Sequence, residues 1–311
     1  MIAVTISDGA VAPAEHADPV AGSGELLVQV RAAGLNGADI LQRAGAYPAP
    51  PGYPQDIPGL EFAGEIVAVG DGVRRFGVGD RVMTITGGGG QAQLATVHEA
   101  VAMPVPAGVD WPTAGGFAEA FLTAHDALIG QANLRPGERL LINGAAGGVG
   151  TAAIQIAKLT GAHVTASVRS AEKHDAVRSL GADVVAVPEE IEGEFDVVLE
   201  LVGAPNVDHA IKSLKTDGRI VVIGVGAGFK AEVNLLALMG KRAVLRGSTL
   251  RARPLEEKAI VSRRVEKELL PALAAGQLTV PILETFPLEE AAAAYERFTA
   301  GNKLGKIGLT A

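Results

Sequence analysis

The chain has 311 residues, of which 48% are hydrophobic, and carries a formal net charge of −8 with no cysteine. That length predicts two domains, with enough apolar material for buried cores. The charge disfavours nonspecific nucleic-acid binding, and the absence of thiols excludes disulfides, thiolate metal sites and a cysteine nucleophile.

Met1 to Asp8 has neither a basic leader nor a long apolar run, so it reads as a first β-strand. No stretch reaches the ~18 apolar residues of a membrane span, and a cytoplasmic location with no membrane partner is expected. Leu26–Val30, Glu65–Val69, Arg81–Thr84 and Gln93–Val97 are short strand candidates separated by Gly, Pro and Asp. They predict a small β-barrel-like unit. Gly87 to Gly90 reads as a tight, flexible turn, because no strand-turn-helix context surrounds it. Thr113 to Ile129 reads as a helix bridging to the next domain.

The most specific segment follows. Arg139 to Asn143 is an apolar strand, Gly144-Ala-Ala-Gly147-Gly148-Val149-Gly150 a glycine-rich turn, and Thr151 to Lys158 the start of a helix. Strand, tight turn and helix together aim backbone N–H groups and the positive end of the helix dipole at a phosphate. Ala145-x-Gly147-x-x-Gly150 is a variant of the dinucleotide fingerprint with Ala in the first place. Strands at Gly161–Val168, Asp183–Val187, Phe195–Leu201 and Gly218–Gly224 alternate with helices at Ser170–Leu180 and Pro205–Leu214. That alternation predicts an α/β fold with a doubly wound parallel sheet. An NAD-binding sheet would carry an acid at the tip of the second strand. Thr165 to Ser170 contains none; Ser167, Arg169 and Ser170, with Lys173 beyond, suit a 2′-phosphate and predict NADPH.

Near the end, Ile282–Pro287 reads as a strand, Leu288–Thr299 as a helix and Lys306–Thr310 as a strand that returns to the first unit. The expected boundaries are 1–112 with 276–311 for the barrel-like domain and 113–275 for the nucleotide-binding insertion, with the cofactor in the cleft between them.

Several segments in combination resemble the medium-chain dehydrogenase/reductase superfamily: Gly34-Leu-Asn36-Gly-Ala-Asp39, Pro58-Gly-Leu-Glu61-Phe-Ala-Gly64, Gly79-Asp80-Arg81-Val82, Glu119-Ala-Phe-Leu-Thr123-Ala and Ala146-Gly-Gly-Val-Gly150. Within it, the chain is similar to the zinc-independent, zeta-crystallin-like quinone oxidoreductases. Gly89-Gly-Gln91-Ala-Gln93, Gly247-Ser-Thr-Leu-Arg251 and Gly305-Lys306-Ile307 point to the tumour-suppressor-inducible branch. The resemblance implies a GroES-like catalytic domain with a Rossmann insertion. It also implies a homodimer whose sheets join through the strand Ala243–Thr249; the same strand reads equally as an interior one.

The resemblance implies roles residue by residue. Tyr47 would lie beside the nicotinamide and substrate, as hydrogen-bond donor or pocket wall, and Asn36 would line the same reactive end. Thr123 would meet the nicotinamide carboxamide, and Ala146, Gly147, Gly148 and Val149 the pyrophosphate. Gly224 and Val225 would border the nicotinamide ribose, with Ser248, Thr249 and Leu250 in a similar place, and Asn302, beside Lys303, near the cofactor. Asp39 reads as a structural acid at a helix start, and Arg251 and Arg253 as solvent or interface residues. Zinc-dependent relatives use a Cys and a Gly-His-Glu where this chain has Asn36 to Asp39 and Gly59-Leu60-Glu61, so no catalytic zinc is expected. A tyrosine that many relatives set against the adenosine corresponds here to Val187 or its neighbours. Without a Lewis acid to hold an alkoxide, acceptors that take hydride directly are favoured. The leading expectation is an NADPH:quinone reductase. An NADPH-dependent enone, enal or enoyl-thioester reductase and a non-catalytic NADPH-binding protein are its rivals.

Overall fold

The computed structural model describes residues 1–311. Its strands are β1 (Ile2–Ser7), β2 (Ala10–Glu15), β3 (Glu25–Gly34), β4 (Glu61–Val69), β5 (Arg81–Ile85), β6 (Leu94–His98), β7 (Met103–Pro104), β8 (Arg139–Asn143), β9 (His163–Ser167), β10 (Val184–Ala186), β11 (Phe195–Glu200), β12 (Leu214–Val222), β13 (Val244–Gly247), β14 (Ile282–Pro287) and β15 (Lys306–Thr310). The chain divides into two compact units, Met1–Leu122 with Leu250–Ala311, and Thr123–Thr249.

The first unit is a largely antiparallel sheet in the order β14-β15-β3-β4-β5-β7, with β6 paired to β3, plus the hairpin β1-β2. β3 alternates buried and more exposed residues over Leu26, Val28 and Val30, the period-two pattern of a half-buried strand. These side chains join Phe62, Ile66, Val82 and Val97 in one core. A second core gathers Val4, Leu35, Tyr295, Ile307 and Leu309.

The helix Leu255–Ala274, which the expected boundary at 275 places in the nucleotide-binding insertion, belongs to this unit. Val261, Val265, Leu269 and Leu273 are buried at helical spacing. Leu255 and Ala259 pack on the core around Val82 and Phe62. Burial against these strands, rather than continuity with the preceding parallel sheet, sets where the second unit ends.

The second unit is a parallel sheet in the order β10-β9-β8-β11-β12-β13. The order reverses between β8 and β11, so the loops after these two strands diverge and open a crevice at the carboxyl edge. The helix Gly148–Thr160 follows β8 directly and ends at Gly161, whose φ of +83° closes it in the left-handed conformation that glycine adopts without strain. Leu141, Phe195, Val198, Ile211 and Ile220 form the core under one face. A one-turn π-helix, Asp126–Gln131, continues the helix Ala118–His125, where the sequence had suggested one regular helix. No helix is long and apolar enough to cross a membrane. β13 lies at the edge of the sheet, not inside it, and all four of its residues are exposed.

Candidate active site

The carboxyl edge of the parallel sheet gathers most of the predicted cofactor residues. Gly147 caps the helix Gly148–Thr160 and has no side chain to satisfy its first-turn N–H groups. Those donors at Gly148, Val149 and Gly150 remain for a ligand. The two fingerprint glycines have separable roles. A Cβ on Gly150 would stand 2.6 Å from the Cα of Ala145, so that glycine lets helix and strand pack closely. A Cβ on Gly147 would meet nothing nearer than the Gly144 carbonyl at 3.6 Å, so the fold itself does not demand glycine there.

Neighbouring strand ends complete the edge. Ser167 closes β9 and is buried; its carbonyl accepts the Ala145 N–H at 3.2 Å. Gly224 follows β12 and donates its N–H to the Glu200 carbonyl; a Cβ there would collide with the Leu201 backbone. Val225 beside it is exposed. Ser248 follows β13 and donates from Oγ to Asp126 Oδ2 at 3.1 Å. This bond ties the strand end to the π-helix that follows buried Thr123. Thr249 is exposed and Leu250 buried, at the division between units. Arg169 is exposed, Ser170 and Lys173 are half-buried, and Ser170 Oγ lies 3.5 Å from Glu172 Oε1.

Sequence reasoning missed the anchor of this edge. Glu200 is fully buried at the end of β11 and accepts from Asn143 Nδ2 at 2.7 Å, from the Val202 and Gly203 N–H groups at 2.6 and 2.7 Å, and from Asn206 at 3.3 Å. It locks the two strand ends that flank the order reversal. An acid ending an apolar strand is a weak signal by itself; the matching Asn143 at the end of β8 was the available hint.

The first unit holds a different kind of site. Asp39 sits in the first turn of the helix Gly37–Arg43 and is fully buried. Its carboxylate accepts from the Asn36 N–H at 2.8 Å and the Gly59 N–H at 3.0 Å, so it is structural, as expected. Burial pushes its pKa from the ordinary 3.8 up to about 6, against the pull of those two bonds. Asn36 is held on both ends of its amide: Nδ2 donates to Glu61 Oε1 at 3.0 Å and to the Gly34 carbonyl at 3.3 Å, and Oδ1 accepts from Lys306 Nζ at 2.6 Å. Lys306 also donates to Glu61 Oε1 at 2.5 Å and to the Leu35 carbonyl at 3.0 Å. Glu61 is fully buried and Lys306 nearly so. Glu61 and Lys306 stood out in the sequence only as parts of motifs; their pairing joins strands β4 and β15, too far apart in sequence to be read as partners.

Tyr47 lies half-buried in the loop after Arg43. Arg251, expected at solvent or an interface, is only 5% exposed. Its guanidinium donates to Gln42 Oε1 at 2.5 Å, to the Tyr47 carbonyl at 2.9 Å and to the Gly87 carbonyl at 2.8 Å, and stands 5.0 Å from the Tyr47 ring centroid. Three acceptors on separate segments drew it inside. Gly87 to Gly90 is correspondingly a mostly buried, packed segment rather than a loose turn. Arg253 is half-buried. Asn302 is an exposed left-handed turn residue, φ 46°, in the first unit, and Lys303 beside it caps the Phe298 ring at 3.3 Å.

Residues 22–131 match the alcohol dehydrogenase GroES-like domain family, and residues 148–267 the zinc-binding dehydrogenase family. Quinone oxidoreductase from Rattus norvegicus is 32% identical over 308 residues, 94% of this chain and 90% of the relative. A phenolphthiocerol/phthiocerol polyketide synthase from Mycobacterium tuberculosis is 32% identical over 297 residues, 92% of this chain but 13% of that much longer protein. Among solved structures, mycobacterial Rv1454c complexed with NADPH superposes with a TM-score of 0.88 at 27% identity, covering both chains fully.

The family description that mentions zinc does not fit this donor set. No group of three or more His, Cys, Asp or Glu side chains is placed to hold a metal. Leu60 offers no ligand, and Glu61 is already neutralised by the Lys306 ammonium. Both domain families, the full-length likeness to quinone oxidoreductases and the parallel-sheet fold agree: the chain is a member of the medium-chain dehydrogenase/reductase superfamily, in its quinone-oxidoreductase-like group.

Proposed function

We propose that this chain is an NADPH-dependent, metal-independent quinone reductase. The observation that carries the reading is the glycine turn at the order reversal of the sheet, whose uncapped helix start is built for a pyrophosphate, in a chain similar along 94% of its length to a quinone oxidoreductase. NADPH, when bound, supplies the hydride. Ala146 to Val149 hold its pyrophosphate. Ser167, Arg169, Ser170 and Lys173 receive the 2′-phosphate, and Gly224, Val225 and Ser248 border the nicotinamide ribose. Thr123 and Thr249 complete the cofactor contacts of the second unit; in the first unit, Asn36 and Tyr47 are the acceptor-side residues.

Lys306 and Glu61 pin the Asn36 amide in one orientation, so its side chain is a fixed wall of the acceptor region. Arg251 does the same for the Tyr47 loop by gripping its backbone. NADPH oxidation followed with 1,4-benzoquinone, 9,10-phenanthrenequinone and a small enone in parallel, with NADH as control, tests the reading. Quinone turnover that prefers NADPH is expected; turnover of the enone alone favours the second reading, an alkene reductase, for which the likeness to a polyketide synthase speaks. NADPH binding without any turnover would leave a binding role.

We further propose that two copies pair through β13. One side of this edge strand is unpaired, with Val244 and Leu245 exposed, and the nearby helix Leu235–Lys241 exposes Leu235, Leu236 and Met239. Such an edge next to apolar surface invites a strand partner. Sedimentation should give a dimer, and Leu245→Lys should shift it toward monomer.

A further inference from the structure

Tyr53 and Lys258 form a pair that the roles above do not use. Lys258 lies on the buried side of the helix Leu255–Ala274 and is 6% exposed. Its Nζ is 3.2 Å from Tyr53 Oη and 5.3 Å from the ring centroid. An ammonium has three donor hydrogens and no lone pair. Lys258 must therefore donate and the phenol oxygen accept, which turns the phenol's own hydrogen away from Lys258. Tyr53 Oη makes no other hydrogen bond within the chain.

The ring is held by close packing: Gly87 presents its Cα hydrogens to it, and a Cβ there would stand 2.5 Å from two ring carbons. The Gly87 carbonyl in turn receives Arg251, which also holds the Tyr47 carbonyl and faces the Tyr47 ring. Both tyrosines of the loop after Arg43 are thus backed by a buried cation. Neither Arg251 nor Lys258 is bonded to a carboxylate; the partners of both are neutral oxygens. Lys258, buried and bonded only to a neutral phenol whose hydrogen is turned away from it, makes Tyr53 a donor suited to an oxygen that gains negative charge.

We propose that Tyr53 donates its phenolic hydrogen to a carbonyl oxygen of the acceptor, and that Lys258 is the positioning residue that orients and polarises it. The proposal rests on the quinone-reductase reading, since an acceptor oxygen becomes an oxyanion when hydride arrives. A donor already fixed at that oxygen stabilises the charge without reorganisation. Tyr53, rather than Tyr47, is then the residue that discriminates carbonyl acceptors from those lacking one.

The test uses the full-length protein and 4-nitrophenolate, a stable phenolate that mimics the half-reduced acceptor, with binding read from its absorbance and no turnover needed. Tyr53→Phe should weaken 4-nitrophenolate binding roughly 10- to 100-fold, the range for a hydrogen bond to a charged group. It should lower kcat/KM for 1,4-benzoquinone by a similar factor while NADPH affinity stays the same. Because it leaves Lys258 buried without its acceptor it also lowers Tm, which the double variant Tyr53→Phe with Lys258→Met should restore without restoring 4-nitrophenolate binding. Lys258→Met should produce a comparable loss and Lys258→Arg recover most of it. Gly87→Ala, which displaces the ring, should mimic Tyr53→Phe. Wild-type protein that ignores 4-nitrophenolate, or a Tyr53→Phe variant that binds it and reduces quinone as wild type does, overturns the assignment and leaves the quinone reading standing. Tyr53-dependent phenolate binding without quinone turnover would uphold the oxyanion site and sink the quinone reading.

Discussion

The two units build their sites from different materials. In the second unit the candidate cofactor edge is mostly backbone: Gly147 to Val149, the strand ends at Ser167 and Gly224, and a helix start whose N–H groups need no side chain. In the first unit the candidate acceptor region is buried charge: Lys306 on Glu61 and Asn36, Arg251 on Gln42 and two carbonyls, Lys258 on Tyr53. A backbone site tolerates substitution wherever no Cβ intrudes. A buried-charge site fails when either partner is removed, because the survivor is left without compensation. The contrast orders the expected effects.

The largest is Lys306→Met. It leaves Glu61 fully buried and unpaired, and should cost ~3–5 kcal/mol of stability in denaturant unfolding. The double variant Lys306→Met with Glu61→Leu should recover most of that loss, while the Asn36 amide, freed of both anchors, lowers kcat more than it raises KM. If the double variant is no more stable than the single one, the cost lies elsewhere than in the stranded carboxylate.

Next comes the pH dependence carried by Asp39. Its pKa is higher in the fold, about 6, than the ordinary 3.8, so the folded state holds a proton that the unfolded chain has released. The stability this provides is complete below 3.8 and is lost as pH rises through about 6, a change of ~3 kcal/mol. Melting curves of wild type and Asp39→Asn between pH 4 and 7 should therefore diverge, the variant gaining on wild type as pH rises. Parallel curves would show that Asp39 titrates normally. Asp183 and Asp196 work in the opposite sense. Hydrogen bonds from Lys158 and the Val164 N–H, and from the Arg139 N–H and Lys215, outweigh burial and hold their carboxyls below the usual range. Their stabilisation is present at neutral pH and fades on acidification.

A third pair of variants separates packing from ligand contact within one glycine turn. Gly150→Ala forces a methyl against the Ala145 backbone and should cost ~1–3 kcal/mol of stability. Gly147→Ala has room in the protein and should leave Tm unchanged, while on the proposed reading the added methyl would crowd the pyrophosphate and lower NADPH affinity roughly tenfold. Isothermal titration with NADPH beside calorimetric melting reads both; a stability loss at position 147 would contradict the division of roles.

The smallest expected effect is at the exposed Arg169. Arg169→Ala should raise the KM for NADPH by about tenfold and leave that for NADH unchanged, since a surface guanidinium contributes only through the 2′-phosphate. Equal changes for both cofactors would remove Arg169 from the 2′-phosphate site and turn attention to nearby Glu172.

The glycine turn was legible because its signal is local. Residues 139 to 158 carry strand, turn and helix in one stretch, and β14 and β15 fall at the expected bounds. The long helix Leu255–Ala274 was there to be read in the spacing of Val261, Val265, Leu269 and Leu273, but charged residues fill the positions between and Pro271 interrupts it. Arg251 was misplaced for a deeper reason. An arginine among turn residues reads as a solvent residue unless its acceptors are known, and those at Gln42, Tyr47 and Gly87 lie far back in the chain.

The sequence by itself determined the superfamily, the parallel sheet, the glycine turn between strand and helix and a donor set unsuited to zinc, because each depends on residue type and short-range spacing. Only the tertiary structure decided which charges are buried, which carbonyls they hold and which tyrosine meets Lys258. Those outcomes depend on desolvation, which no single segment carries and which is set only when β4, β15, the glycine segment at 87–90 and the helix after Arg251 pack together.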